Sequence, residues 1–169
     1  MTEETEKDDS DDSVNISTLI DLATRGKNYR EEFETEYLGE TIHLKLKPVI
    51  SKRFLPIAAL LEDKLDMDAE DAQERIEEGK EDGNIDPANF DEEFIAIMSE
   101  LAVRGIDLTY GFAKDGSEDD LRRVFAISDD EDQNIGMIGG VVLEISEQVL
   151  SISSDAKKAE SFRRDGGGE

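Results

Sequence analysis

The sequence predicts an α+β protein, an N-terminal β-hairpin followed by a predominantly helical body. Three observations carry this. Phe33, Thr35 and Tyr37 alternate with acids, and Ile42, Leu44 and Leu46 alternate with polar residues, with Leu38-Gly39-Glu40 between the two runs. Alternation with a period of two around a Gly-containing turn marks a hairpin with one buried and one wet face. Beyond Pro48 the apolar residues return at helical spacing instead. Last, Ile135, Ile138, Val142, Ile145, Val149 and Ile152 follow a 3-4-3-4-3 spacing, the seam of a helix that seeks a partner.

The elements follow in order. Asn15 can cap a short leading helix whose apolar face is Ile16, Leu19, Ile20 and Ala23, with Gly26 as its stop. The hairpin then spans 29–47, and Pro48 ends its second strand. A helix over about 51–65 presents Phe54, Leu55, Ala58, Leu61 and Leu65; Pro56 requires it to begin near Leu55 or to bend there. A mostly polar helix over 68–80 has only the thin stripe Met67, Ala72 and Ile76, and 81–90 reads as a loop. Asp91 caps a helix over 91–104 that Gly105 stops. Residues 106–112 are a strand or an extended linker. Ser117 with Asp120 forms a capping pair for a helix over 117–127. An acidic loop over 129–134 leads to the final helix, 135–153, in which Gly136, Gly139 and Gly140 lower helix propensity. Residues 14–154 therefore read as a single α+β domain. The seven acids of 1–13 point to a disordered acidic tail. The basic, Gly-ending stretch 155–169 reads as a flexible tail.

Charge narrows what such a domain can do. The chain holds 44 Asp and Glu against 19 Lys and Arg, a net charge of −25 in 169 residues. The acids recur at 1–12, 62–82, 91–100, 115–120 and 129–132, so they coat the molecule rather than form one arm. Self-repulsion of this size strains a compact fold where the Debye length is about 8 Å, and is tolerable at molar salt, where it is about 3 Å. The charge reads first as a habitat signature of a salt-loving organism or its virus, and only second as a functional device. It also argues against direct nucleic-acid binding, which needs clustered cations. The chain contains no Cys, which excludes disulfides, zinc–thiolate sites and cysteine nucleophiles. The N-terminus lacks the features of a signal peptide, and no apolar run reaches the roughly 20 residues that span a bilayer. The expectation is a soluble intracellular protein with no membrane contact.

Candidate chemistry is sparse. Asp82, Asn84, Asp86 and Glu93 occupy positions one, three, five and twelve of a calcium loop, but Pro87 stands where the turn needs Gly. The pattern reads better as an ordinary Asp/Asn/Gly/Pro loop with a helix cap, so neither a metal nor a cofactor is expected. His43, the sole histidine, lies on the outward phase of its strand. Gly136, Gly139 and Gly140 lack the Lys-Ser/Thr of a phosphate loop. No constellation specifies catalysis, and the expectation is a non-enzyme. Two apolar faces are candidate partner-binding surfaces: Phe94, Ile97, Met98 and Leu101, and Ile138, Val142, Ile145, Val149 and Ile152. The second can serve self-association or docking, or can be the longest core helix of a monomer packed on 91–104 and the hairpin.

The run Ile20-Asp-Leu-Ala-Thr-Arg-Gly26, the hairpin, and the exit Leu46-Lys-Pro-Val49 followed by Ser51-Lys-Arg-Phe54-Leu55 resemble the tail-assembly chaperones of long-tailed viruses, here one infecting a haloarchaeon. The resemblance covers 20–104. It implies a non-enzymatic protein of the host cytoplasm, absent from the mature virion, that binds the long helical tape-measure protein and recruits tail-tube subunits. Helix-in-groove contacts along 94–101 or 135–152 would hold the partner. Two other classes fit the residues: a virion structural component such as a tail or connector protein, and an acidic cellular adaptor or DNA-mimic regulator.

Overall fold

A computed structural model describes residues 15–136 and 139–164; Ile138, the leading acidic run and the terminal glycines lie outside them. Asn15 accepts a hydrogen bond from the Thr18 N–H (2.8 Å) and starts α1, Ile16–Asn28. The expected stop at Gly26 does not occur: the helix continues to Asn28, and the Tyr29 N–H closes it by donating to the Gly26 carbonyl.

The hairpin is present. β1 (Glu31–Tyr37) pairs antiparallel with β2 (Glu40–Leu46), with Phe33 opposite Leu44 and Thr35 opposite Ile42. Leu38 and Gly39 both have positive φ, as the tightest hairpin turns require. One face carries Leu44 and Leu46 into the core, while His43 sits on the other, its side chain 52% exposed and 3.2 Å from Glu34.

A single 3₁₀ turn at Ser51–Arg53 precedes α2, Leu55–Leu65, with Pro56 in its first turn, so the helix begins at Leu55 rather than bending. α3, Ala69–Glu78, opens on a reciprocal capping box between Asp68 and Asp71. The stretch expected as a loop contains a minimal hairpin, β3 (Lys80–Glu81) with β4 (Asn84–Ile85), turned by Asp82 and Gly83, both at positive φ. α4, Glu92–Gly105, has Asp91 at its N-cap position without a side-chain capping bond.

The segment after α4 crosses β2. Lys47 N–H donates to the Gly105 carbonyl and Asp107 N–H to the Lys45 carbonyl, both at 2.8 Å, around the single bridge Leu46–Ile106. It is an extended linker with one bridge to the sheet. α5, Glu118–Val124, is opened by the Ser117–Asp120 capping box. α6 runs Gly139–Arg164. It starts later than 135, because Asn134 is extended, the Ile135 N–H is bonded to the Arg123 carbonyl, and Gly136 turns at positive φ. It also continues beyond 153, through part of the stretch expected as a tail.

The core lies between α4, α6, α2, α3 and the inner face of the hairpin. Leu44, Leu46, Val49, Ile57, Leu61, Ile76, Met98, Leu101, Ile106, Leu143, Ile145 and Val149 are almost wholly removed from water. α6 is also pinned to the hairpin by polar bonds, Thr35 Oγ1 donating to Glu144 (2.7 Å) and Gln148 Nε2 to Glu31 (2.8 Å). Ser153 Oγ accepts from the Val49 N–H at 2.9 Å.

Candidate docking surface

The residues singled out as partner-binding are core residues. Phe94, Ile97, Met98 and Leu101 on α4 and Val142, Ile145, Val149 and Ile152 on α6 are all buried, the two faces packed on each other and their neighbours. The seam found in the sequence is real, but its partner is within the same chain. Ile135 is off the helix, and Ile138 is among the residues not described.

The calcium-loop set is likewise taken apart by the fold. Asp82 forms the β3–β4 turn, Asn84 lies in β4, Asp86 caps the Ala88 N–H (2.9 Å), and Glu93 on α4 faces Lys64 at 4.0 Å. Among the described residues, no three acidic or histidine side chains converge as metal ligands.

What remains outward is a surface that reading for chemistry passes over. From Thr41 to Leu61 the chain has no Asp or Glu, although 44 acids in 169 residues put one at roughly every fourth position. The window carries Lys45, Lys47, Lys52 and Arg53, and it folds into β2 and the entry and body of α2. Successive residues of a helix are turned by about 100°. Ile57 and Leu61 therefore face the core, while Leu55, Pro56, Ala59 and Leu60 share the opposite arc with Glu62 and Asp63. Leu55 is 64% exposed. A helix apolar on both sides is normally buried on both; here one side faces water.

At the start of this face stands a cluster of cations. Arg53 Nη2 lies 2.8 Å from Glu118 and Arg30 Nε 2.7 Å from Asp107. Burial, followed by the nearby charges of Arg53 and Arg30, lowers the pKa of Lys47 below the ordinary lysine value. Lys45 Nζ sits over the Tyr110 ring, 4.7 Å from its centre. Arg53 also donates to the Arg104 carbonyl (3.3 Å), and Arg104 returns a bond to the Arg53 carbonyl (3.2 Å). Arg104 and Arg122 both hold Glu100, at 3.0 and 2.7 Å, and although burial alone raises the Glu100 pKa, the two guanidiniums bring it below normal. Asp107 is lowered to about 2: burial opposes this, but hydrogen bonds from Thr109 and the Arg30 ion pair outweigh it. Elsewhere Lys80 bridges Glu77 (2.7 Å) and Glu147 (2.9 Å). Burial raises the Glu147 carboxyl, while the bond from Lys80 lowers exposed Glu77.

A second outward apolar arc lies on α1. Ile16, Leu19, Ile20 and Ala23 fall on one side of this helix, and Ile16 is 77% and Ile20 59% exposed. α1 packs on α6, and its half-buried residues are Thr18, Leu22 and Gly26, on a different side. Together the two arcs offer apolar adhesion on helices and no reacting group; the arrangement suits holding another helix. Among the described residues no helix is long and apolar enough to cross a membrane. No protein-family model matches the chain, and neither a curated protein nor a solved structure matches it significantly.

Proposed function

We propose that this protein is a non-enzymatic tail-assembly chaperone of a haloarchaeal tailed virus. It holds an apolar stripe of the tape-measure protein on the outer face of α2 and brings tail-tube subunits to it in the host cytoplasm. The observation that carries the reading is that outer face: Leu55, Pro56, Ala59 and Leu60 turned to water on an otherwise acid-coated molecule. Long helices with apolar stripes aggregate until assembled. A chaperone for them needs a small apolar face of helical geometry on a body too charged to aggregate itself. A net charge of −25 supplies the second requirement, and molar salt makes that charge compatible with folding.

The test is binding in molar KCl between the purified protein and the tape-measure protein of a haloarchaeal tailed virus, for the native chain and for Leu55→Asp/Leu60→Asp. Removing the burial of each leucine costs about 2 kcal/mol of binding, roughly thirty-fold in Kd. Loss of binding with unchanged circular dichroism supports the proposal. Equal binding by the variant removes α2 as the docking face, and capture of host regulators with no virion component moves the assignment to a cellular adaptor. Circular dichroism that is unchanged in dilute buffer counts against the halophilic setting.

A further inference from the structure

We propose that the free edge of β1 takes an extended segment of a partner protein as a third strand, one in which cationic residues alternate with apolar ones. The site is on the hairpin and shares no residue with the α2 face, so it stands or falls separately from the proposed function.

The two edges of the hairpin differ. The turn at Leu38-Gly39 makes Tyr37–Glu40 the closing pair, and hydrogen-bonded pairs then recur at Thr35–Ile42, Phe33–Leu44 and Glu31–Leu46. The intervening residues of each strand turn their backbone groups outward. On β2 the chain itself takes them up: Lys45 and Lys47 bond to Asp107 and Gly105, and Gly111 lies so close to the His43 carbonyl that no Cβ fits between them. On β1 the outward N–H and C=O groups belong to Glu32, Glu34 and Glu36. Among the described residues nothing bonds to them, and all three residues are exposed. The edge is also held in place, because Thr35 is bonded to Glu144 of α6 and Glu31 to Gln148. It is a rigid row of unpaired donors and acceptors, the template for strand addition.

The two faces of β1 specify the occupant. Phe33, Thr35 and Tyr37 turn to the core, and Phe33 and Tyr37 are only half-buried, so apolar residues of an added strand would extend that layer. Glu32, Glu34 and Glu36 turn to the wet face, and β2 already shows what such a row accepts beside it. Lys45 stands opposite Glu32, His43 opposite Glu34 at 3.2 Å, and Thr41 opposite Glu36, while Leu44 and Ile42 stand opposite Phe33 and Thr35. A strand on the free side meets the same alternation. A second copy of β1 would set glutamate beside glutamate, which opposes pairing. The main-chain bonds that supply affinity do not depend on ionic strength. The cations select the sequence at contact range, which a screening length of about 3 Å in molar salt leaves in force.

Amide hydrogen exchange, read by nuclear magnetic resonance in molar KCl, tests this on the full chain with an end-blocked peptide of alternating lysine and valine. Saturating peptide is expected to slow exchange at the Glu32, Glu34 and Glu36 amides by about ten-fold or more. Backbone N-methylation of the peptide's lysines keeps their charge and removes the donors that face β1; it is expected to weaken binding by about ten-fold or more. A glutamate–valine peptide is expected not to bind the native chain but to bind Glu32→Lys/Glu34→Lys/Glu36→Lys, with circular dichroism checking the fold and Glu34→Lys alone serving if the triple variant unfolds. Leu55→Asp/Leu60→Asp is expected to bind the lysine–valine peptide as the native chain does, whatever becomes of its binding to a tape-measure protein. Unchanged exchange at the highest soluble peptide concentration overturns the inference. So does equal binding of the N-methylated peptide, which reduces the contact to charge alone, or of the acidic one. Protection of the three amides that rises with protein concentration in the absence of peptide gives the edge to a second copy and overturns it as well.

Discussion

Gly105, the last residue of α4, lies directly against the Val149 side chain of α6: a Cβ at position 105 would come within 2.5 Å of one Val149 methyl and 2.7 Å of the other. The two largest helices of the core thus approach closely at their crossing because one of them lacks a side chain there. Gly105→Ala sets two effects in opposition. Helix propensity favours Ala by about 1 kcal/mol, whereas overpacking costs about 1–3 kcal/mol. Val149 is fully buried and stiff at its branched Cβ, so it cannot turn aside, and overpacking wins. Denaturant unfolding in molar salt should show a net loss of about 1–2 kcal/mol. The pair Gly105→Ala/Val149→Ala should cost less than the sum of its singles, and strict additivity would show that the clash is relieved elsewhere.

Replacing Ile145 and Val149 with Asp is expected to destroy the fold, not merely a binding surface. Both side chains are fully buried, and an unpaired carboxylate there costs several kcal/mol, comparable with the whole stability of a domain this size. Loss of cooperative unfolding and of near-ultraviolet dichroism is the expected readout; a variant that still melts cooperatively would mean that the α4–α6 seam opens without cost.

The Asp107 carboxyl predicts an acid limb of stability. Its pKa in the folded chain is about 2, below the 3.8 of an unperturbed Asp. A depressed pKa stabilises the fold above the unfolded value, and that contribution is lost as pH falls through the folded one. The window is therefore from about pH 4 down to about pH 2, and the contribution there is roughly 1–2 kcal/mol. Asp107→Asn should lose this at neutral pH and show a flatter stability profile across the window. An unchanged profile would put the acid limb on other carboxylates, Glu100 first among them.

The hairpin apex offers a change in the opposite direction. Leu38 has φ of +53° and is 84% exposed, a left-handed backbone that costs a non-Gly residue about 1–2 kcal/mol with no burial in return. Leu38→Gly should stabilise the protein by up to about 1 kcal/mol, the flexibility of Gly in the unfolded chain offsetting the rest. A lower melting temperature for this variant would show that Leu38 is held by contacts the turn does not reveal.

The hairpin and the α4–α6 seam are legible in the sequence for the same reason: one face of each is buried, so apolar residues repeat at the period of the backbone. The β3–β4 hairpin escapes that reading because two-residue strands are too short to alternate, and its sign is only Asp82-Gly83. Gly26 reads as a stop, yet nothing prevents a helix from running through a glycine when a later N–H closes it. The candidate docking surface is hidden more thoroughly. Periodicity finds what is buried, and the most regular apolar residues, Val142, Ile145, Val149 and Ile152, are for that reason the least available. The mark of the exposed face is an absence, the acid-free run Thr41–Leu61, together with apolar residues on the side of α2 that Ile57 and Leu61 do not use.

The exchange of carbonyl bonds between Arg53 and Arg104 reaches beyond local order. It fastens the entry of α2 to the final turn of α4, and Gly105 follows there, against Val149. The candidate docking helix is thereby tied to the α4–α6 core. Under the proposed function, a partner helix arriving at Leu55 would meet a preset shape, so that little conformational entropy would be lost in forming the complex. Removing both bonds, by Arg53→Met with Arg104→Met for example, would leave every apolar residue of the candidate face in place, and under the proposed function it is expected to weaken client binding.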